Sequence, residues 1–340
     1  NAMSAISSGL TIMFLFWSIT MLAKKVVAPD GNYSQASIIT ILGSGFVGAM
    51  AYAFTDSFWF SAVEGEVYAM SSFFTALVFW AILRWEVEAD KPHSLRWLVL
   101  IAYLMGLSIG VHLLNLLAIP AIVYVYYYKK FTYTPKGFVL TGIFSILILA
   151  VIMYGIIPDI VNLFGRVELF FVNSLGLPFN SGTIFFTVSI ILMIVSGLLF
   201  TQKGDKYKTF FYVAGAVFLV AILLGADSVG SFVIRLAMAA GLVACVKFTY
   251  NKRYILNAII LGFTFILIGY SSFLLLIIRA NANTPINENA PTDAIGLLSY
   301  LNREQYGTWP LFKRQYYNAP VIEYADRTPV YHKSKAYGKY

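Results

Sequence analysis

The sequence predicts an all-α polytopic membrane protein. Hydrophobic residues fill 59% of the 340 positions and charged residues only 12%, about half the charged fraction of an ordinary soluble domain. Apolar runs of roughly 18 to 25 residues recur along the chain, the length that a helix needs to cross about 30 Å of hydrocarbon. A transmembrane β-barrel would show short alternating segments instead.

The apolar runs predict about ten spans, and the charges between them predict their direction. The spans are residues 5–23, 37–55, 67–84, 97–111, 114–128, 138–157, 182–201, 208–225, 231–248 and 254–278. Lys and Arg cluster in alternate connections, whereas the remaining connections contain Arg166 as their only basic residue. By the positive-inside rule the basic connections are cytoplasmic, and the others, with the residues after 279, face outward.

The apolar stretch 97–128 is too long for one ordinary helix, and both of its flanks are basic. Two crossings with a turn at 110–112 satisfy both facts. Each half is short, so a partly re-entrant hairpin remains an alternative. Gly106 and Gly110 form a GxxxG spacing, which favours close helix packing.

Two further segments lie on the predicted outer side. Residues 158–181 carry apolar side chains at helical spacing beside Arg166 and Glu168, which is typical of a helix in the interface plane. Residues 280–340 are polar and have too few apolar side chains to bury a core. We therefore predict a transmembrane core over 1–279 and the start of an outward-facing region over 280–340.

Composition excludes several other classes. The net charge of +8 is distributed as orientation signals between spans, so we expect a lipid bilayer as partner and no nucleic acid. Cys245 is the single cysteine and the three histidines lack metal-ligand spacing, so we expect neither a metal nor a cofactor. No Walker A, HExxH or GxSxG motif occurs, which leaves ATP-driven transport and metal-dependent or serine hydrolysis without support.

The segment 56–70 is acidic and aromatic and contains no Lys or Arg. Carboxylates held at a membrane face are costly unless they contact water, a cation or a substrate. In a helix over 56–66, Asp56, Phe60 and Glu64 share one face. The functional interpretation is a rim that binds a polar acceptor, formed by Asp56, Glu64, Glu66 and Tyr68. The alternative is an interfacial loop whose aromatic residues form a belt at the membrane surface.

Four polar residues in apolar runs are candidates for binding a lipid-linked phosphate. His112 and Asn115 lie near one predicted outer turn, and Arg235 and Arg279 lie near outer ends of spans. Arginine at such a position can hold a phosphate by bidentate contacts. The alternatives are interhelical hydrogen bonds for His112 and Asn115 and snorkelling to headgroups for the arginines.

Three stretches carry a resemblance to a known family: DSFWFSAVEGEVYAMSSFFTALVFWAILRWE, GLSIGVHLLNLLAIPA and LLSYLNREQYGTWPL. They resemble the bacterial family catalogued as domain of unknown function 2723, inner-membrane proteins of Gram-negative bacteria. That family is related to transmembrane protein O-mannosyltransferases of the GT-C glycosyltransferase superfamily. The resemblance runs over the whole chain and implies a GT-C-like helical bundle in the bacterial inner membrane with a periplasmic tail.

The resemblance implies a glycosyltransferase that moves a sugar from a polyprenyl-phosphate carrier to Ser or Thr hydroxyls of periplasmic proteins. It places Glu64, Glu66 and Tyr68 at the rim of the site and His112 and Asn115 on the donor side. The run 303–307 is a family signature. GT-C enzymes carry their catalytic carboxylate in the first outward loop, in an acidic motif that this sequence does not contain.

The resemblance therefore implies a chain without its first span and without its catalytic aspartate, about eleven spans in the intact protein, and no activity of this chain by itself. The opening Asn1-Ala2-Met3 has neither a basic n-region nor a cleavage site, so it is not a signal peptide. It is either a tag remnant or the beginning of a fragment, and the resemblance favours the fragment. Two other functions remain as alternatives: a transporter or flippase of a lipid-linked glycan, and a non-catalytic scaffold of an envelope assembly system.

Overall fold

The described chain is helical and forms a polytopic membrane protein, as predicted. A computed structural model describes residues 1–282, 284–306, 316–320 and 329–340. Within these ranges the only β pairing is an isolated bridge between Ser334 and Lys339. Eight helical segments are long and apolar enough to cross a membrane.

The α-helices of the described residues are named here in chain order. They are α1 (Ala2–Val27), α2 (Gln35–Ala53), α3 (Asp56–Val63), α4 (Tyr68–Glu88), α5 (Leu95–Ile109), α6 (Ile119–Lys130), α7 (Pro135–Ala150), α8 (Ile157–Leu169), α9 (Ser181–Lys203), α10 (Lys208–Leu224), α11 (Val229–Thr249), α12 (Arg253–Tyr270), α13 (Leu274–Asn281) and α14 (Ala294–Leu301). A 3₁₀ helix over Leu113–Ala118 precedes α6, and π-helical turns over Val151–Ile156 and Phe170–Ser174 flank α8.

Eight of the ten predicted spans coincide with the eight long apolar segments. One of those segments, Pro135–Ser174, contains 40 residues, since α7 continues through a π-helical turn into α8. The other two predicted spans are the short helices α5 and α6, with 15 and 12 residues. At 1.5 Å per residue, α5 extends about 22 Å, less than the hydrocarbon thickness. The predicted turn at 110–112 is confirmed, and the re-entrant alternative stays open.

The helices pack into two compact units. The first unit contains residues 1–152 and 258–273, and the second contains residues 153–257 and 274–340. These units are defined by packing alone, so the predicted division at residue 279 into a membrane core and a tail stays a prediction. In the predicted signature 303–307, residues 304–306 form a 3₁₀ turn, and Gly307 lies outside the described residues.

In the first unit, α1 packs against α2 and α4, through aromatic contacts such as Phe14 with Trp80 and through small hydroxyl side chains that are buried. The buried residues of α1 are all Ser or Thr, namely Ser4, Ser7, Ser8, Thr11 and Ser18, while large apolar residues such as Ile6 are exposed. Lipid tails are as apolar as leucine, so close packing of small residues, rather than apolar burial, holds such helices together. The Thr11 and Ser18 hydroxyls donate to backbone carbonyls one turn earlier, which satisfies them inside the bundle.

Glycines bring α5 and α12 into backbone contact within the first unit. A Cβ on Gly106 would overlap the Ile266 backbone, and a Cβ on Gly269 would lie 2.5 Å from the Leu107 nitrogen and from the Tyr103 oxygen. A Cβ on Gly110 would lie 2.6 Å from the Ser272 hydroxyl oxygen. The close packing that the GxxxG spacing predicts is confirmed.

The second unit is built around α8. Its core combines Leu163 and Val167 of α8 with Phe186 of α9 and with Ala221 and Ile222 of α10. The sequence predicts α8 as a helix in the interface plane; its helical structure is confirmed, and its orientation to the bilayer stays a prediction. Its apolar face is buried within this unit.

We predict that Gly269→Ala lowers the stability of the first unit by about 1–3 kcal/mol, because the new methyl group has no room between α5 and α12. The control is Gly262→Ala on the same helix, where a Cβ meets nothing within 4 Å; it should be neutral or stabilising, since Ala favours helix. The measurement is the temperature at which half of the detergent-solubilised protein loses its monodisperse peak. Equal midpoints for the two variants would contradict the close crossing.

Candidate functional site

The acidic segment forms a short helix and an extended link at one end of the first unit. Thr55 is the extended N-cap of α3, and Asp56 lies in its first turn, where a carboxylate is favourable to the helix dipole. The helix ends at Val63 because Glu64 has an extended backbone, with ψ 153°. A helix over the whole of 56–66 is therefore wrong: α3 ends at Val63, although the Glu64 N–H still donates to the Phe60 carbonyl at 3.2 Å.

The three carboxylates of this segment have no counter-ion in the described part of the chain. Asp56 and Glu66 are exposed and Glu64 is half-buried. Among the ion pairs of the described residues, none involves Asp56, Glu64 or Glu66. A Cβ on Gly65 would lie 3.4 Å from the Asn1 side-chain oxygen, so the link lies beside the first turn of α1. We call Asp56, Glu64, Glu66 and the residues between them the carboxylate end.

An open cavity of about 390 Å³ adjoins α3, lined by Phe54, Asp56, Trp59, Phe60 and Val63. The Phe54 and Trp59 rings stack with centroids 5.8 Å apart, and both are more than half exposed. Phe58 is buried instead and packs 4.6 Å from the Tyr52 ring. The exposed rings agree with the belt alternative, whereas Phe58 anchors α3 to the bundle.

The structure brings two candidate residues from separate parts of the sequence together. The rings of Tyr68, the first residue of α4, and His112 lie 5.6 Å apart between centroids. The Nδ1 atom of His112 accepts a hydrogen bond from the Leu114 backbone N–H at 3.1 Å. A neutral imidazole that accepts at Nδ1 carries its proton on Nε2. His112 is therefore held as a hydrogen-bond donor through Nε2.

Asn115 lies fully buried, three residues beyond His112. Its amide nitrogen donates to the Ser108 hydroxyl at 2.9 Å, which ties the 3₁₀ helix to α5. Its Oδ1 atom has no hydrogen-bond partner among the described residues. The interhelical alternative thus accounts for the nitrogen of Asn115, and its buried oxygen stays unpaired among the described residues, at a cost of about 1–3 kcal/mol.

Arg235 and Arg279 belong to the second unit and have different surroundings. Arg235 is 4% exposed, and its Nη1 atom lies 3.3 Å from Asp159; its Nε atom has no partner within the described ranges. The snorkelling alternative is therefore wrong for Arg235. Arg279 is exposed and forms no ion pair in the described part of the chain. For Arg279, snorkelling to headgroups therefore remains an alternative. The phosphate candidates divide between the units, His112 and Asn115 in one and the arginines in the other.

Sequence reasoning missed the partners of two buried charges in the second unit. Asp159 balances Arg235 from a position 76 residues earlier. Glu168, fully buried, accepts hydrogen bonds from the Asn180 and Thr183 backbone nitrogens at 2.5 and 2.9 Å, and so caps the N-terminus of α9. The only sequence signal for either carboxylate is its position beside or within apolar segments. Among the described residues, no group of three or more His, Cys, Asp or Glu could hold a metal ion.

At the other end of the first unit, carboxylates are paired with cations. Glu86 pairs with Lys25, Glu88 with Arg84 and Arg96, and Asp90 with Lys129 and Lys130. These contacts connect the ends of α1, α4 and α6 with the beginning of α5. The paired carboxylates stabilise helix ends, whereas those of the carboxylate end are free to bind a ligand.

We predict a pH-dependent contribution from Asp90. Hydrogen bonds from Lys129 and Lys130 lower the pKa of its carboxyl group. A lowered folded-state pKa stabilises the fold above the unfolded pKa of about 4 and loses that stabilisation as pH falls through the folded value. Asp90→Asn should therefore lower the unfolding midpoint at pH 7, and its difference from the unsubstituted protein should shrink below about pH 4.

The control for Asp90 is Asp30→Asn, which changes an exposed carboxylate that has no ion pair among the described residues. It should leave the midpoint at pH 7 unchanged. The same midpoint for the two variants at pH 7 would show that the Asp90 pairs do not stabilise this end.

Comparison with known proteins gives one match. Residues 1–134 match the sequence model of a family described as the protein O-mannosyl-transferase TMEM260 N-terminal domain. No curated protein and no solved structure matched the chain. The matched range contains the carboxylate end, Tyr68, His112 and Asn115, and it excludes Arg235 and Arg279. The match supports the predicted relation to protein O-mannosyltransferases; the bacterial family of unknown function 2723 stays a prediction.

Proposed function

We propose that this chain forms a membrane-embedded glycosyltransferase core of the protein O-mannosyltransferase type. The observation that carries the proposal is the carboxylate end. Its three carboxylates lack counter-ions among the described residues and fall inside the range that matches the O-mannosyltransferase family. Asp56 also lines an open cavity beside α3. Of the four other carboxylates in the first unit, Glu86, Glu88 and Asp90 form ion pairs, and Asp30, beside the basic end of α1, has no ion pair in the described part of the chain.

Free carboxylates without neighbouring cations suit a substrate that is rich in hydroxyl groups. An ionised carboxylate only accepts hydrogen bonds, and hydroxyl donors to it form short, charge-assisted bonds. A sugar and a Ser or Thr side chain of an acceptor protein both offer such donors. Asp56, Glu64 and Glu66 therefore bind and orient hydroxyl groups in this proposal, and the base that removes the acceptor proton is a separate group.

The donor in this proposal is a sugar linked to polyprenyl phosphate. Its phosphate is anionic, so the carboxylates repel it and the sugar faces them. The donor nitrogen Nε2 of His112 beside Tyr68 suits the phosphate side, and the buried Asn115 supports this side through its hydrogen bond to Ser108. In the reaction, the acceptor oxygen forms a bond to C1 of the sugar, the bond from C1 to the phosphate oxygen breaks, and the acceptor proton passes to a base.

The proposal includes a location. The free carboxylates and the residues after 279 face the periplasm of a bacterial inner membrane, where exported proteins present their hydroxyl groups. This sidedness rests on the alternation of basic and non-basic connections. A flippase would use unpaired charges along its spans, whereas the buried Arg235 and Glu168 of the second unit have partners.

We predict that Glu64→Gln and Glu66→Gln together lower the sugar-transfer rate at least about tenfold, since the loss of charge-assisted hydrogen bonds worth roughly 1.4 kcal/mol changes a rate by that factor. The assay uses membranes from cells that express the protein from its own gene, labelled polyprenyl-phosphate mannose and a Ser/Thr-rich acceptor peptide. The control is Asp30→Asn, an exposed carboxylate at the basic end of α1.

Protein level and monodispersity are measured beside the transfer rate, to separate a loss of function from a loss of folding. Protein level and monodispersity should equal those of the unsubstituted protein, because Glu66 is exposed and neither glutamate has an ion pair in the described part of the chain. Transfer that is unchanged in the double variant would remove the carboxylate end from the mechanism. Absence of transfer in the unsubstituted protein with any donor would overturn the proposed function as a whole.

A further inference from the structure

Two short turns of the second unit meet at one face. The first joins α9 to α10 and the second joins α11 to α12. Arg253 of the second turn pairs with Asp205 of the first at 2.7 Å. The rings of Phe200 and Tyr250 lie 5.6 Å apart, and the Thr201 hydroxyl bonds to Asn257 at 3.0 Å. The residues of both turns therefore form one continuous surface.

This surface carries five exposed lysines, and we call it the lysine face. Its lysines are Lys203, Lys206, Lys208, Lys247 and Lys252. None of them forms an ion pair with another described residue. The one carboxylate in residues 200–210 and 245–255 is Asp205, and Arg253 already holds it. The five lysine charges are therefore not neutralised within the described chain.

Most basic residues in the first unit have a different environment. Five of its eight Lys and Arg residues each contact a carboxylate, namely Lys25, Arg84, Arg96, Lys129 and Lys130, whereas Lys24, Lys91 and Lys136 form no ion pair with a described residue. The positive-inside rule requires cations at both places and does not distinguish them. The absence of carboxylate partners at the lysine face, within the described residues, is thus an additional feature of this surface.

The depth of the lysine face is fixed by the helices that end there. Four long apolar segments, Ser181–Lys203, Asp205–Leu224, Val229–Thr249 and Arg253–Asn281, begin or end at its two turns. Only residue 204 separates the first pair, and residues 250–252 separate the second. Such short connections keep the ammonium groups near the hydrocarbon boundary, at the level of the headgroups.

Aromatic residues around the lysines suit the same depth. The Lys208 nitrogen lies 5.6 Å from the Tyr250 ring centroid and 5.8 Å from that of Tyr212. Phe248 and Tyr254 are 81% and 74% exposed. Tyrosines concentrate where apolar tails meet water, because their rings are amphipathic. The lysine face thus combines headgroup depth, interfacial aromatic rings and free ammonium groups.

We propose that the lysine face binds the headgroups of anionic phospholipids in the leaflet that it borders. Ammonium groups donate charge-assisted hydrogen bonds to phosphate oxygens, and clustered Lys near a span are attracted to anionic lipid surfaces. The bound lipids neutralise the charge that the chain leaves unpaired and fix the depth of α9 to α12 in the bilayer. This binding is independent of sugar transfer.

The test uses the purified full chain and counts retained lipids by native mass spectrometry after titration with phosphatidylglycerol or phosphatidylcholine. The unsubstituted protein should prefer phosphatidylglycerol by about tenfold or more, since each lysine near the surface adds attraction. The preference should disappear in K203Q/K206Q/K208Q/K247Q/K252Q. It should also weaken when salt is raised from about 0.05 to 0.5 M, because ions screen exposed charges.

The matched control removes the same number of charges where they have a carboxylate partner. K203Q/K206Q should lower the preference several-fold, whereas K129Q/K130Q, whose lysines contact Asp90, should keep it. The double variants also replace the fivefold variant if it does not fold. Equal retention of both lipids by the unsubstituted protein, or an equal loss in both double variants, would overturn the proposal. Displacement of the lipid by a soluble polyphosphate at stoichiometric concentration would likewise assign the face to another ligand.

Discussion

The structure depends on one constraint: a charge or a backbone polar group inside hydrocarbon has no water to bind. Charged side chains must therefore lie at helix ends or find a partner within the protein. Arg235 meets this requirement through Asp159, and the buried Glu168 through the N-terminus of α9. Because these internal charges are paired within the protein, the unpaired charges at the ends of the helices indicate what the protein can bind.

Three kinds of helix end follow from this constraint, and they differ in what they can bind. Where carboxylates pair with cations, as at Glu86, Glu88 and Asp90, the charges hold helices together. At the carboxylate end the acidic groups have no ion-pair partner among the described residues and suit hydroxyl groups. At the lysine face the five lysines likewise have no described carboxylate partner and suit phosphates. The opposite chemistry of the two surfaces suits the two proposed ligands, a sugar at the carboxylate end and anionic phospholipids at the lysine face.

Much of the fold could be predicted from sequence because long apolar runs and glycine spacing are local signals. The spans, the turn at 110–112 and the close packing at Gly106 belong to this class. The end of α3 at Val63 could not be predicted, because a single extended residue, Glu64, decides it. The burial of Ser and Thr residues in α1 could not be predicted either, because it reverses the usual pattern of apolar residues inside and polar residues outside. Small residues allow helices to pack closely in lipid.

The candidate site was predicted in part, and the missing part is long-range. The carboxylates and Tyr68 could be selected as a run without cations, and His112 as a polar residue in an apolar run. The contact between Tyr68 and His112 joins residues 44 positions apart, and the pair of Arg235 with Asp159 joins residues 76 positions apart. Periodicity and composition carry no information on such pairings, so sequence could not separate free charges from paired ones.

The proposed sidedness, on which both free surfaces depend, can be measured with single cysteines. In a Cys245→Ala background, Glu66→Cys and Lys206→Cys place one thiol at the carboxylate end and one at the lysine face. We expect a membrane-impermeant thiol reagent to label position 66 in spheroplasts and position 206 only after the membrane is permeabilised. This expectation is the same whether the α5–α6 hairpin crosses the membrane or re-enters it. Labelling of both positions from the same side would contradict the account.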